Sequence, residues 1–225
     1  MNNLSLRLST IASLVPKGAF VCDVGTDHGF LPIFLMESGI ARGVIATDIN
    51  EKPLKKAEEN LKKTGAKGIT LRLCDGLSGV KKGEVNTVII AGMGGEVISG
   101  IIDRAPFLRD GMVELILQPT TAAKELRRYL AKNGFAVEQE RALAENGKIY
   151  SVMLVRFCGA PYTIDDTQAA IGILKPDCDE AVQYIEKQYK IASNCANNLK
   201  KVSHKQNEYN YYFKLSEELK NILGG

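Results

Sequence analysis

The chain has 225 residues, a formal net charge of +3, 45% apolar residues and 24% charged ones. That balance fits a soluble, well-cored protein of one large domain, or one of about 150 residues plus a smaller appendage. The longest purely apolar runs are four or five residues, which excludes a transmembrane helix. The five cysteines (22, 74, 158, 178 and 195) are odd in number and scattered without a C-x-x-C pair. This argues for reduced thiols in a cytoplasmic protein, with no zinc site and no disulfide framework. A charge of +3 is too small to announce nucleic acid, but its distribution is uneven: residues 187–225 hold seven lysines against three glutamates. That is a mild hint of a polyanionic partner, and solvated lysines explain it as well.

Near the N-terminus, Leu4, Leu8, Ile11 and Val15 recur at helical spacing, so an amphipathic helix is expected rather than a signal peptide. From Phe20 to about Cys158 strands and helices alternate. AFVCDV reads as a buried strand and FLPIFLMESG as a helix closed by Gly39. GVIATDI (strand), EKPLKKAEENLKKTG (helix ending at Gly65) and ITLRLCDG (strand) follow. VNTVIIAG is a fourth strand, EVISGIIDRAPFL a helix, MVELILQPT a fifth strand, and TAAKELRRYLAKNG a helix ending at Gly134. FAVEQERALAE and KIYSVMLVRF pair as a hairpin through Asn146–Gly147. Five strands with helical crossovers imply a doubly wound parallel sheet, to which the hairpin adds one antiparallel strand. After Gly159-Ala160-Pro161 the pattern changes. Positions 181, 185, 188, 192, 195, 199 and 202 form a mostly apolar coiled-coil seam, flawed at Gln188. Tyr209, Tyr212, Leu219 and Leu223 offer the partner stripe, with SHKQN as the turn between two helices.

FVCDVGTDHGFLP carries the chemistry. A dinucleotide turn would show G-x-G-x-x-G and present free amides to a pyrophosphate. Here Asp23, Gly25 and Gly29 are spaced D-x-G-x-x-x-G, and Asp27 stands where phosphate would lie. A carboxylate beside a phosphate costs on the order of a kcal/mol or more even when partly screened. The turn suits a nucleoside without phosphate, and S-adenosyl-L-methionine brings an ammonium, a sulfonium and a ribose with only one carboxylate. Asp23 is expected to face the ammonium, with Gly25 letting backbone approach the ligand. Asp48 closes the second strand 23 residues after Gly25, where an acid accepts from ribose hydroxyls. Asp75 closes the third strand, placed for the adenine amine, and the AGMGG glycines close the fourth. Plainer readings exist for each: Asp27 as a helix N-cap, His28 as a first-turn residue, Asp48 as a helix start, Asp75 as a turn cap, and the glycines as relief of crowding. Acids at three successive strand ends beside a glycine turn favour the ligand site.

LSLRLSTIASLVPKG, DVGTDHGFLP, ATDIN, CDGL, AGMGG and LQPT, in this order and spacing, resemble the bacterial tRNA adenine-22 N1-methyltransferases, the TrmK family. The resemblance is dense over residues 4 to about 158 and only one of type beyond. It implies a Rossmann-like class I methyltransferase sheet, mostly parallel with one antiparallel strand, plus a C-terminal α-helical coiled-coil hairpin. The methyltransferase domain is then 1–159 and the coiled-coil domain 160–225. S-adenosyl-L-methionine is the implied donor and tRNA the partner, with no metal and no membrane, in a cytoplasmic monomer or weak oligomer. The candidate donor site comprises Asp23, Gly25, Thr26, His28 and Gly29 from the first strand end, and Asp48, Ile49 and Asn50 from the second. Asp75 and Gly76 join from the third, and Gly92, Met93 and Gly94 from the fourth; Asp27 is the candidate catalytic residue, facing the acceptor.

The fourth strand end agrees with that chemistry. Enzymes that methylate exocyclic amines offer an Asn/Asp-Pro-Pro-aromatic loop, which AGMGG is not. Adenine N1 has an in-plane lone pair and becomes part of a cationic ring on methylation, so a nearby carboxylate stabilises the developing charge. Methylation of another RNA site or a small molecule, and a non-catalytic cofactor- or RNA-binding adaptor, are the competing readings.

Overall fold

The computed structural model describes residues 4–200 and 202–224. A short helix α1 (Leu6–Ala12), capped by the Ser5 hydroxyl accepting from the Leu8 amide, precedes the sheet. Strands β1 (Ala19–Val24), β2 (Ala41–Asp48), β3 (Ile69–Leu73), β4 (Thr87–Gly94) and β5 (Glu114–Thr121) run parallel. Helices α2 (Phe30–Glu37) and α3 (Glu51–Thr64) join the first three strands, and α4 (Gly95–Asp103) joins β4 to β5. Then α5 (Ala123–Lys132) leads into the hairpin β6 (Phe135–Glu145) and β7 (Lys148–Phe157). The sheet order is β3-β2-β1-β4-β5-β7-β6, and β7 is antiparallel to both its neighbours. The architecture is the expected one.

Side-chain alternation divides the core into two layers. On β4, Val88 and Ile90 join Ile98, Ile102 and Leu126 under α4 and α5, whereas Ile89 joins Ile11, Leu31 and Leu35 under α1 and α2. All parallel strands therefore end at one edge of a sheet covered on both faces. The order reverses between β1 and β4, which opens the crevice where such sheets bind ligands.

Some elements differ from the sequence reading. The helix expected over 96–108 ends at Asp103, and Pro106 starts a separate 3-10 turn reaching Asp110. Proline lacks the amide a continuing helix needs and pushes Ala105 out of the helical region (φ −120°, ψ 74°). The N-terminal helix stops before Val15, which is buried beyond its end. A helix the periodicity did not announce, α6 (Asp166–Ile171), carries a capping box in which Asp165 and Gln168 bond each other's backbone amides.

The last helices, α7 (Asp179–Leu199) and α8 (Gln206–Gly224), pack through Ile185, Ala192, Leu215 and Leu219. The seam holds at 181, 185 and 192, but Val202 lies beyond the helix. On α8 the buried positions are Leu215, Ser216 and Leu219; Tyr209 instead stacks on the exposed Phe213. The stripe is thus centred on Leu215 rather than running from Tyr209, because the tyrosine can hold a half-exposed position with its hydroxyl in water.

These helices are tied to the sheet by a buried cation. Arg127 of α5 and Glu140 of β6 form an ion pair at 2.6 Å with side chains 2% and 0% exposed. The guanidinium also donates to the Ala169 and Ala170 carbonyls at the end of α6, to Ser151 on β7, and to the Tyr184 hydroxyl on α7. Removing one partner of such a pair strands the other charge without water. Arg127→Ala is therefore expected to cost about 3–5 kcal/mol, read by urea denaturation; a loss below about 1 kcal/mol would contradict this account.

Candidate active site

Strand β1 runs out at Val24, and Gly25 turns the chain with φ +74°. The Gly25 and Thr26 amides both donate to the Thr47 carbonyl, at 2.8 and 2.9 Å, which pins the turn to β2. Thr26 is consequently 1% exposed, and its hydroxyl has no hydrogen-bond partner among the described residues. Asp23 lies beneath the turn, 6% exposed. Burial pushes its carboxyl up to about 6; the Thr26 hydroxyl opposes the shift and the nearby Asp48 adds to it. That hydroxyl faces the carboxyl but lies outside hydrogen-bond geometry.

Asp27 points the other way. Its side chain is 85% exposed and lies 3.1 Å from His28 Nε2. The helix cap at this end is Gly29, in left-handed conformation, with no side-chain cap bond. The N-cap reading of Asp27 is thereby overturned. His28 sits in the turn before α2 with φ 62°, an uncommon conformation for a non-glycine residue, and Asn60 of α3 donates to its carbonyl at 2.9 Å. His28 Nε2 is also 3.2 Å from Lys56 Nζ. One ring nitrogen donates to Asp27 or accepts from Lys56, not both at once. Gly29 packs on α3, where an added Cβ would come 3.0 Å from the Ala57 Cβ.

At the end of β2, Asp48 Oδ1 accepts the Asn50 amide at 2.7 Å, and Asn50, not Asp48, occupies the N-cap position of α3. Between them Ile49 is 64% exposed, an apolar side chain held in water at the crevice. At the end of β3, Asp75 is paired with Arg104 of the α4 end at 3.3 Å. Gly76 is buried, and its carbonyl accepts the Thr47 hydroxyl at 3.0 Å.

The fourth strand end is a bulge. Ala91 pairs with Gln118 and Met93 with Pro119, leaving Gly92 unpaired at φ +77°. The Gly92 amide donates instead to Gln118 Oε1 at 3.1 Å. Met93 reaches over the glycine turn, with its Cε 2.3 Å from where Gly25 would carry a Cβ. Gly94 is the N-cap of α4 and lies against Thr121. The strand ends thus gather Asp23, Gly25, Thr26, Asp48, Gly92 and Met93 in one crevice, with Asp27 and His28 on its outer lip. Arg7 and Gln118, which touch Gly92 from α1 and β5, were not among the sequence candidates. The only signal for them lay in the LSLRLS and LQPT segments that carry the family resemblance.

An apolar cavity of about 860 Å³ lies between α1, α2 and α3, lined by residues that include Leu4, Leu8, Phe30 and Ile33 and by none of the strand-end acids. Size alone does not locate the chemistry. Among the described residues no cluster of His, Cys, Asp and Glu is arranged to hold a metal ion, the five cysteines are free, and no helix is long and apolar enough to cross a membrane.

The strand order, the glycine turn and the acid-lined crevice define a Rossmann-like methyltransferase, and the methyltransferase-domain family matches residues 4–153. The tRNA (adenine(22)-N(1))-methyltransferase of Bacillus subtilis (strain 168) is 36% identical over 177 residues, 77% of this chain and 74% of that protein. The crystal structure of the B. subtilis m1A22 tRNA methyltransferase TrmK superposes with a TM-score of 0.87 at 27% identity, covering 99% of this chain and 100% of the other. A Streptococcus pneumoniae protein solved in complex with S-adenosyl-L-methionine gives 0.82 at 30% identity over 98% and 100%. The chain belongs to the tRNA (adenine(22)-N(1))-methyltransferase family.

Asp23 yields a pH signature. Its carboxyl is raised from the ordinary 3.8 to about 6 in the folded state. Folding therefore favours the protonated form; the penalty is fully present above pH 6 and is relieved as pH falls toward 4. At neutral pH Asp23→Asn is expected to stabilise the ligand-free protein by about 1–3 kcal/mol. The gain should shrink at pH 4.5, and equal denaturation midpoints for mutant and wild type at pH 7 would contradict the assignment.

Proposed function

We propose that this chain transfers the methyl group of S-adenosyl-L-methionine to N1 of adenine 22 in tRNA, in the cytoplasm, as a monomer or weak oligomer. The observation that carries the reading is the buried Asp23 carboxyl beneath the left-handed Gly25 turn, beside an unpartnered Thr26 hydroxyl. That donor set fits a cationic nucleoside: Asp23 receives the ammonium, Asp48 the ribose hydroxyls, and Thr26 gains the partner it lacks. Exposed Ile49 offers an apolar face to the donor's adenine, and Asp75 an acceptor for its amine. Asn50, Gly76, Met93 and Gly94 shape the walls, while His28 and Gly29 hold the lip. Bound there, the donor supplies an electrophilic methyl group on its sulfonium.

Adenine N1 needs no general base, because its lone pair is already available. When the base is stacked and paired, N1 faces its partner, so the target must be extruded or caught unpaired. Asp27 accepts from the exocyclic amine, orients N1, and meets the positive charge that grows on the ring. Its 85% exposure in the free protein suits a group that the RNA itself covers. An interaction that strengthens toward the transition state appears in kcat more than in binding. Asp27→Asn is expected to slow single-turnover methylation by roughly two to three orders of magnitude, with donor Kd unchanged; wild-type speed would remove Asp27 from the chemistry.

Labelled donor with bulk bacterial tRNA tests the function as a whole. Label is expected in tRNA and absent when adenine 22 is replaced by guanine; equal labelling of both overturns the site assignment.

In the proposed division, residues 1–159 carry the chemistry and 160–225 add RNA affinity. Arg127 draws its partners Ala169, Ala170 and Tyr184 from beyond residue 159, so the division is tested in the full chain. Lys200, Lys214 and Lys220 are exposed on the last two helices and the turn between them. Changing all three to Gln should raise the tRNA half-saturating concentration and lower its salt slope by about one for each phosphate that the lysines neutralise. Donor Kd should stay constant; an unchanged salt slope would assign these helices another role.

A further inference from the structure

We propose that the cavity where α7 meets the end of β5 holds one backbone phosphate beside the target adenine, an inference that rests on the tRNA reading above. A nucleotide drawn into the crevice brings a phosphate on each side of its ribose. Asp27, Asp48 and Asp75 stand at or just beyond the ends of β1, β2 and β3, where they repel that backbone. Strand β5 closes instead with Pro119, Thr120 and Thr121 and carries no acid there. The backbone is therefore best received on the β5 side.

A cavity of about 310 Å³ lies there, between the end of β5, the start of α5 and α7. Its lining includes Thr120, Thr121, Lys124, Lys187 and Gln188, with Glu125 as the one acid. Gln188 is the residue that interrupts the apolar seam of α7, and its place on this wall accounts for the interruption. The rim is locked to the fourth strand end: Thr121 Oγ1 stands 3.1 Å from where Gly94 would carry a Cβ, and the Ala122 carbonyl oxygen 2.3 Å from where Gly95 would. Because β4 lies between β1 and β5, the cavity and Asp27 flank the AGMGG glycines from opposite sides. Two strand spacings, about 10 Å, match the reach of one nucleotide from base edge to phosphate. A base laid across β4 with its amine at Asp27 thus points its backbone at the cavity.

Both lysines have donors to spare. Lys187 Nζ donates to the Ile149 carbonyl at 3.3 Å, and the neighbouring Glu186 is taken by Lys190. Lys124 donates to the Tyr211 hydroxyl of α8, and its Nζ lies 4.8 Å from the centroid of that ring. An ammonium carries three donors, so each lysine keeps two for an anion. The threonine hydroxyls and the Gln188 amide add neutral donors, a set that suits phosphate oxygens.

Single-turnover methylation of tRNA carrying one neutral methylphosphonate linkage, 5′ or 3′ of adenine 22, tests this on the full-length protein. One of the two linkages should raise the wild type's half-saturating tRNA concentration roughly tenfold, and the other should have little effect. Lys187→Gln should show a similar loss on unmodified tRNA and lose nothing further on the sensitive linkage, because both changes remove one contact. Lys187→Arg, which keeps the charge, should restore most of the affinity, and donor Kd should stay constant throughout. Losses that multiply would overturn the proposal, as would full affinity in Lys187→Gln or indifference to both linkages. Inorganic phosphate that raises the Tm of wild type but not of Lys187→Gln, with both linkages silent, would make the cavity a site for a free anion instead. A wild-type protein that methylates no tRNA would overturn the tRNA reading itself, and the role of the cavity with it.

Discussion

Thr47 is the residue on which the crevice depends. Fully buried in β2, it accepts the Gly25 and Thr26 amides at its carbonyl and gives its hydroxyl to the Gly76 carbonyl. One residue therefore fixes the turns that follow β1 and β3 against the strand between them. With both amides committed to Thr47, the β1 turn has fewer free donors for a phosphate than a dinucleotide turn would. It instead turns Thr26 inward, keeps Asp23 beneath, and lifts Asp27 and His28 to the outside. The contrast between a buried and an exposed aspartate four residues apart follows from that single anchor.

Burial of Asp23 illustrates a conflict between stability and function. A carboxyl raised to about 6 is a group the fold would shed if packing alone mattered. The same dry surroundings strengthen its attraction to a cation, so a residue that weakens the empty protein is well suited to a positively charged ligand. On the far side of the crevice, Gln118 acts in the opposite sense, satisfying Gly92 and steadying Arg7 with a neutral amide. The site thus has an acidic wall and a basic corner.

Much of this was legible in the sequence because short apolar runs ending in Asp or Gly fix both the strands and what stands at their ends. AFVCDV is β1 residue for residue, and Asn146–Gly147 turns the hairpin with both residues at positive φ. The features that were not legible depend on contacts between distant segments. Arg7 and Gln118 are 111 positions apart, and neither residue type is unusual where it stands. Thr47 has the character of any β-branched strand residue. On α8 the expected stripe holds at Tyr212, Leu219 and Leu223, while Tyr209 lies outside it and Leu215 takes the buried place, because both fit a helical period and only packing against α7 separates them. Six-residue α6 is too short to show a period, although its D-x-x-Q cap is present in the sequence.

Arg127 sets an order on how the chain comes together during synthesis. Its guanidinium and the Glu140 carboxylate belong to segments made early, but Tyr184 follows Arg127 by 57 residues. At about 5–20 residues per second, roughly 3–11 s separate their emergence. Through that interval the β6–β7 hairpin lacks the helices that pack on its face, and the ion pair remains in water. The last stretch of the chain thus acts as a closing step: only when α6 and α7 arrive does the charge become buried and the apolar face of the hairpin covered.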